Sequence, residues 1–383
     1  MVRAPEAVYD DLVNSVRRRV VSTGGFHNRN YRVRLTPEDA CTLGLGVGTS
    51  LLLRVRRSAP ELLRVRRPTS EMVWRIWPNE SAVLRVLEDV RRTSTRGRGV
   101  DVPQVLHTDP DGTAVLIYVE GWTLADRVPA GAIVPASYVD QIARFFAQLV
   151  RFERQDLPPL PKPWAPEGDS SAFMGSLVQF AQTKLADAHR DEFGWLLREL
   201  GVGDDAMSRF GAGLPKLQGR PFSLLHTDVH RQNIVIDTAD RLRVIDWEHA
   251  MFGDPLYDLA THLCRMRYPA AQERQVIAAW RDAVTEVSPA HAFGLERDLK
   301  HYLAYERAQS VYPDVIRAAL TLGVAPDEST FTHAVKRIEA ALATAAPPLG
   351  LTPILGCDVI RKLLLEWHRQ WSVARVLASQ QAT

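Results

Sequence analysis

The stretch FSLLHTDVHRQNIVIDTADRLRVIDWE, Phe222 to Glu248, constrains this chain more than any other. An apolar run ends in HTDVHRQN, which packs an acid, two amides and two imidazoles into His226–Asn233. Two short β-prone runs follow, NIVI (233–236) and LRVI (242–245). The DTADR between them has the composition of a hairpin turn. Such a hairpin puts Asn233 at its start and Asp246 just past its end, with both side chains at one end of the ribbon. Dense polar loops carry function more often than cores do.

The flanking sequence divides in character. The first third is strand-prone: RRRVV (17–21), YRVRL (31–35), SLLLRVRR (50–57), MVWRIW (72–77) and TAVLIYV (113–119) are rich in Val, Ile, Leu and aromatics. One helix interrupts them, in NESAVLRVLEDV (79–90), where Val83, Leu84, Leu87 and Val90 recur at helical spacing. The remainder is mostly helical. In VDQIARFFAQLVRF, Ile142, Phe145, Phe146, Leu149 and Val150 share a face. The proline-rich LPPLPKPWAPEGD (157–169) reads as a connector. Helical patterns return in 171–200, 270–287, 294–320, 329–344 and 356–378. A strand-rich third followed by helices is an α+β pattern.

Composition excludes several classes. With 46% hydrophobic and 24% charged residues the chain matches an ordinary globular protein. Net charge is +2, too small for a nucleic-acid footprint. The first 150 residues carry 21 arginines against 16 acids and no lysine, the first being Lys162. No apolar run has the length of a membrane span, and the N-terminal stretch lacks an apolar signal core, so a cytoplasmic protein is expected. Cys41, Cys264 and Cys357 lie far apart without CxxC spacing, against a disulfide frame or zinc knuckle.

Two chemistries compete for the opening stretch. His226, Asp228 and His230 alternate as HxDxH and could meet on a metal, with His249 as a further candidate, but no Cys/His cluster stands elsewhere to complete the set. The other reading uses Asn233 and Asp246 as hard oxygen ligands for Mg²⁺ carrying nucleotide phosphates. Asp228 then faces a substrate hydroxyl as base, the layout phosphoryl transfer requires. Each residue alone could merely cap a turn or end a strand. Their order and spacing, with GDPLYDLA soon after, favour the second reading.

LLHTDVHRQNIVID and VIDWEHAMFGDPLYDLA resemble the paired signatures of the aminoglycoside phosphotransferase and choline kinase superfamily. The resemblance runs loosely from Gly24 to Leu263 and tightly through 224–260. It implies a bilobal fold similar to protein kinases, with a small β-rich nucleotide-binding lobe over 1–117 and a larger, mostly helical catalytic and substrate-binding lobe over 118–383. Asp228 matches the catalytic aspartate, Asn233 and Asp246 the metal pair, His226 a bracing histidine, and Asp258 an aspartate that ties down the catalytic loop. Asp254 is expected to shape the turn before it. His230 and Arg231 fall at variable positions, read as near-surface and close to substrate or phosphate, and Glu248 as a possible aid to the metal shell. STGGFHNRNY resembles a phosphate-covering turn, where Gly24 and Gly25 let backbone N–H groups approach. VLIYVEG resembles the strand and hinge that hold the purine through Tyr118 to Glu120. The lobe also needs a cation paired with a helix carboxylate. Without lysine, arginine has to serve, as in choline-kinase-like members. Arg54 is the choice, Arg64 the rival and Glu80 the partner.

The implied reaction moves the γ-phosphoryl of ATP or GTP, with Mg²⁺, onto a hydroxyl of a small molecule. Tyr302, Tyr305 and Glu306 in HYLAYERAQSVYPD could line an acceptor pocket or simply pack. Polycationic aminoglycosides need strongly acidic clefts. The mild charge here fits a nucleoside or sugar-bearing antibiotic or biosynthetic intermediate better. A choline, sugar or homoserine kinase and an inactive nucleotide-binding module stay open as alternatives. A protein kinase is disfavoured, since HTD stands for HRD, IDWE for DFG, and nothing like APE follows.

Overall fold

The structure is a computed structural model that describes residues 4–17, 28–56, 72, 74–77, 79–93, 99–323 and 325–380. Two compact units form, one from Met1–Ser70, Arg75–Pro163 and Pro221–Phe293, the other from Glu71–Trp74, Trp164–Arg220 and Gly294–Thr383. The N-terminal sheet and the His226–Asp246 segment both fall in the first unit.

Strands β1 (Asn28–Arg34), β2 (Ser50–Arg56), β3 (Val105–Thr108) and β4 (Ala114–Ile117) make an antiparallel sheet of order β1-β2-β4-β3 in the first unit. Alternation along β2 sorts its faces. Leu51 and Leu53 point into a core with Val13, Val16, Tyr31, Leu35, Ala40 and Val115. Leu52 and Arg54 take the other side. Val13 and Val16 belong to the helix Pro5–Arg17, which the sequence reading missed by starting a strand at Arg17. Residues 18–21 of that expected strand lie outside the described residues. The helix Glu80–Thr93 buries Val83, Leu84 and Leu87, as their spacing predicts.

MVWRIW does not form a strand in its described residues. Ile76 and Trp77 are both buried although adjacent, which a half-buried strand does not allow. The Trp77 indole N–H instead donates to the Pro159 carbonyl at 3.1 Å.

The expected hairpin is present. Strands β7 (Ile234–Ile236) and β8 (Leu242–Val244) pair antiparallel, and the Ile245 N–H continues the ladder to the Asn233 carbonyl at 2.9 Å. Asp237 Oδ1 fixes the turn by accepting from the N–H groups of Ala239 and Arg241, both at 2.9 Å. Strands β6 (Ser223–Leu225) and β9 (Met251–Gly253) pair with each other on either side of this segment. The polar loop and the hairpin are thus closed at both ends. Strand β5 (Trp122–Thr123) adds to β7. At Gly121, φ is +149° and a Cβ would stand 2.2 Å from the Ile236 carbonyl oxygen, so this crossing admits only glycine.

The second unit is helical. It contains Ser170–Phe180, Arg190–Glu199, Ala206–Ala212, Leu295–Leu320, Glu328–Leu349 and Cys357–Gln380. The helix Leu295–Leu320 carries a fully buried Asp298, which pairs with an equally buried Arg220. Among the described residues no helix is long and apolar enough to cross a membrane.

Candidate active site

Arg54 leaves β2 opposite the core and meets the acids it needs. Its Nη1 donates to Glu80 Oε2 and, at 3.1 Å, to Asp246 Oδ1. Glu80 opens its helix, and its second oxygen accepts the Trp247 N–H at 2.8 Å. One carboxylate therefore ties Arg54 to the residue after Asp246. Burial lowers the Arg54 pKa, but Glu80, Asp246 and Glu248 outweigh it and hold the guanidinium above its ordinary value. Burial also raises the Glu80 carboxyl, against the pull of Arg54. Glu248 pairs with Arg75 at 2.9 Å and lies 3.3 Å from His249 Nε2. Burial, aided by the charge of Asp246, pushes its carboxyl up to about 7. Its oxygens face Arg75 and His249, so an arginine and an imidazole hold the side chain expected near the metal.

The loop before Asp228 is braced from three sides. Asp258, buried in the first turn of the helix Pro255–Met266, accepts the N–H groups of His226 at 2.8 Å and Thr227 at 2.7 Å. Burial lifts the Asp258 carboxyl to about 7 against these two donors. The pair of bonds holds Thr227 at φ +61°, a left-handed conformation that is costly for a β-branched residue. Thr227 Oγ1 adds a bond to the His249 carbonyl at 2.8 Å. His226 is the second brace. The Asp228 N–H donates to its Nδ1 at 3.3 Å, so the proton sits on Nε2 and is given to the Ile245 carbonyl at 3.2 Å. Burial drops its pKa to about 4, which keeps the ring neutral as this pattern requires. The ring lies edge-on to Trp247, with centroids 4.6 Å apart. His262 is the third brace, donating from Nδ1 to the Val229 carbonyl at 2.8 Å and accepting the Tyr268 hydroxyl on Nε2 at 3.0 Å.

Asp228 stands where these braces converge. Asn233 Nδ2 donates to its carbonyl and to its Oδ2, both at 3.0 Å. Its Oδ1 receives Arg265 Nη1 and faces His230 Nε2 at 3.3 Å. Burial pushes the Asp228 carboxyl up, but Arg265 first and His230 next overcome it and hold it below the usual carboxylate range. Because the Asn233 nitrogen is committed to Asp228, its amide oxygen is the atom left for a ligand. Asp246 sits at φ +70° with Oδ1 on Arg54, which directs its other oxygen elsewhere. One amide and one carboxylate oxygen make a hard donor set that fits Mg²⁺ with its waters and phosphates. Among the described residues no group of three or more His, Cys, Asp or Glu converges on one point, so the HxDxH reading has no cluster behind it.

Other expected residues have different surroundings. Arg231 is buried, not near-surface: its guanidinium bonds the carbonyls of Met266 at 3.1 Å, Val128 at 2.9 Å and Ala132 at 3.0 Å. Three of its five N–H donors are bonded to carbonyls, one from each nitrogen, so it acts as a structural staple. The Tyr118 N–H is bonded to the Ser50 carbonyl at 3.0 Å and is not free for a base. Glu120 is half-exposed and pairs with Arg32 at 2.6 Å, and Arg32 in turn lies over the Tyr118 ring at 4.4 Å. Asp254 caps the helix Pro255–Met266 through the Leu256 N–H at 2.9 Å. In the second unit Tyr302, Tyr305 and Glu306 are all buried in the helix Leu295–Leu320. The Tyr305 hydroxyl donates to the Leu177 carbonyl at 3.0 Å and that of Tyr302 approaches the Ser170 carbonyl at 3.5 Å, so these two rings pack rather than line a pocket. Gly24, Gly25 and Arg64 lie outside the described residues. The sequence reading missed Arg265, which stands among ordinary helix residues in HLCRMRY and carries no motif.

The arrangement brings a candidate base, two hard metal ligands and a buried arginine–carboxylate pair into one compact unit. A family model for the phosphotransferase enzyme family (APH) matches residues 20–294. No curated protein matches by sequence. Among solved structures, a candidate aminoglycoside phosphotransferase from Ralstonia eutropha JMP134 superposes with a TM-score of 0.52 at 15% identity, over 89% of this chain and 98% of its own. A choline/ethanolamine kinase family protein from Mesorhizobium loti gives a TM-score of 0.46 at 17% identity, over 93% of this chain and 99% of its own. The first of these likenesses supports a protein-kinase-like fold and no finer statement. With the family model spanning well over half of its length, the chain belongs to the phosphotransferase enzyme family.

Proposed function

We propose that this enzyme transfers the γ-phosphoryl group of ATP or GTP to a hydroxyl of a small molecule. The observation that carries the reading is the continuous bonded chain Glu80–Arg54–Asp246 beside Asp228–Asn233. In this reading a cation for phosphates, a metal-ligand pair and a base share one scaffold. Asn233 and Asp246 would hold Mg²⁺, which neutralises phosphate charge when bound. Arg54, fixed by Glu80, presents its guanidinium to the nucleotide phosphates. With the Tyr118 N–H already bonded, the hinge would meet the purine through the Tyr118 carbonyl and the backbone that follows.

The acceptor oxygen attacks the γ-phosphorus, its proton passes to the Asp228 carboxylate, and the bond to the bridging oxygen breaks with the electron pair leaving on the nucleoside diphosphate. A carboxylate held below its usual range is a weak base before reaction. Asp228 therefore orients the hydroxyl first and takes the proton as the new P–O bond makes that hydroxyl acidic. The enzyme would act where nucleoside triphosphates are, in the cytoplasm. The absence of a strongly acidic composition favours a neutral or weakly charged natural product, such as a nucleoside or sugar-bearing antibiotic or its precursor, as acceptor.

The test is mass spectrometry of a panel of aminoglycosides, nucleoside and peptide antibiotics, choline and simple sugars, each with Mg²⁺ and ATP or GTP. One compound gaining a single phosphate with the wild type and not with Asp228→Ala supports the reading. Choline or a simple sugar as that compound moves the enzyme to primary metabolism. Transfer undiminished in a folded Asp228→Ala variant overturns the role of Asp228.

A further inference from the structure

Without an acceptor, both carboxylate oxygens of Asp228 already have partners. Oδ2 takes the Asn233 amide at 3.0 Å, a bond between two buried side chains. Oδ1 takes Arg265 and faces His230 at 3.3 Å. The Gln232 N–H donates to His230 Nδ1 at 3.2 Å, so the His230 proton lies on Nε2, pointing at Asp228. The two sides of the carboxylate differ in mobility. Asn233 is locked in place, whereas the Arg265 side chain is 42% exposed and reaches inward from the last turn of the helix Pro255–Met266. Oδ1 carries the more exposed partner, so an arriving hydroxyl that takes Oδ1 competes there with Arg265.

Water is a hydroxyl too, and at far higher concentration than any acceptor. A kinase whose base stands open would hydrolyse its nucleotide between turnovers. We propose that Arg265 is a positioning residue that caps Oδ1 of Asp228 in the acceptor-free enzyme and so suppresses attack by water on the bound nucleotide. This rests on the assignment of Asp228 as the base. In the suppressed reaction a water oxygen would form the bond to the γ-phosphorus, its proton would go to Asp228, and the bridging P–O bond would break to release nucleoside diphosphate and inorganic phosphate. A guanidinium on Oδ1 competes with a water for that oxygen and makes the carboxylate a poorer proton acceptor. An acceptor held by its own contacts competes for Oδ1 better than a free water does, because those contacts offset the cost of moving the arginine.

The experiment needs no knowledge of the acceptor. Full-length protein, Mg²⁺ and ATP or GTP are incubated alone and phosphate release is followed for the wild type, Arg265→Gln, Arg265→Lys, Asp228→Ala and the double variant Arg265→Gln/Asp228→Ala. Nucleotide binding is measured on the same samples by calorimetry. We expect Arg265→Gln to raise phosphate release about ten-fold, a small share of the 10²–10⁴ that a positioned base supplies. Arg265→Lys should stay near the wild type, nucleotide affinity should hold, and the double variant should lose the gain. A purely structural arginine would lower the rate or leave it unchanged. Phosphate release by Arg265→Gln at or below the wild-type rate, with nucleotide bound, overturns the cap. So does a gain that survives in the double variant. If Arg265→Gln does not fold, a Lys variant that hydrolyses ten-fold faster than the wild type refutes the proposal and one that stays slow while Arg265→Met speeds up supports it. Failure of every sample to bind nucleotide overturns the proposed function itself, and the cap with it.

Discussion

Acid should release the loop around Asp228 through His262, and the size of the effect follows from its surroundings. The ring is completely buried, with Nδ1–H on the Val229 carbonyl and Nε2 accepting from Tyr268. A second proton would have to displace the Tyr268 hydroxyl hydrogen in a fully buried site. Burial lowers the pKa from 6.5 to about 4. The native state therefore binds fewer protons than the unfolded chain between those values, and acidification favours unfolding. The stabilisation is complete above pH 6.5 and is lost as pH falls toward 4. Integrating the two titrations gives a loss of about 2.5 kcal/mol on going from pH 7 to 4.5. Other buried groups act in the same range. His226 and His249 have the same sign. Glu248 and Asp258, raised to about 7, have the opposite one, since the native state binds their protons more readily. A difference measurement removes all four. His262→Gln keeps one donor and one acceptor but cannot ionise. The free energy of unfolding of wild type and variant, from urea titrations at both pH values, should converge by about 2.5 kcal/mol as pH falls to 4.5. A gap that stays constant between the two pH values would falsify the buried neutral histidine.

Two further predictions concern the nucleotide side of the site. Arg54→Met leaves Glu80, Asp246 and Glu248 without their shared cation and should cost about 3–5 kcal/mol in denaturant titration, as breaking a buried pair does. Arg54→Lys, which keeps the charge but not the planar guanidinium, should fall between and weaken nucleotide binding in calorimetry. Equal stability of all three proteins would count against the charge node. Gly121→Ala puts a Cβ against the Ile236 carbonyl at a φ of +149°, so the hinge has to move from the hairpin. A stability loss of about 1–3 kcal/mol together with weaker nucleotide binding is expected, and an unchanged thermal midpoint would show that the crossing is not tight.

What the sequence disclosed depends on where each partner lies along the chain. Asn233 and Asp246 could be placed together because a hairpin is local: the turn chemistry of Asp237 and the alternation of two short strands fix both ends at once. Arg54 was chosen because the resemblance calls for a cation on a strand of this lobe and no lysine precedes Lys162, and Glu80 because it opens the next helix. The failures have the opposite character. Arg231 read as a surface cation because nothing nearby in sequence shows that three carbonyls, from Val128, Ala132 and Met266, close around it. Tyr302 and Tyr305 read as pocket candidates because helical spacing cannot say whether a hydroxyl meets a ligand or a backbone carbonyl. Arg265 was invisible for the same reason, since its partner lies 37 residues earlier and the helix that carries it shows only ordinary periodicity. Three of the groups that hold this loop, Asp258, His262 and Arg265, come from the one helix Pro255–Met266. A single rigid element therefore fixes the strained Thr227, the carbonyl of Val229 and the carboxylate between them. A mutation anywhere on the buried face of that helix should reach Asp228 before it reaches Asn233 and Asp246 on the hairpin.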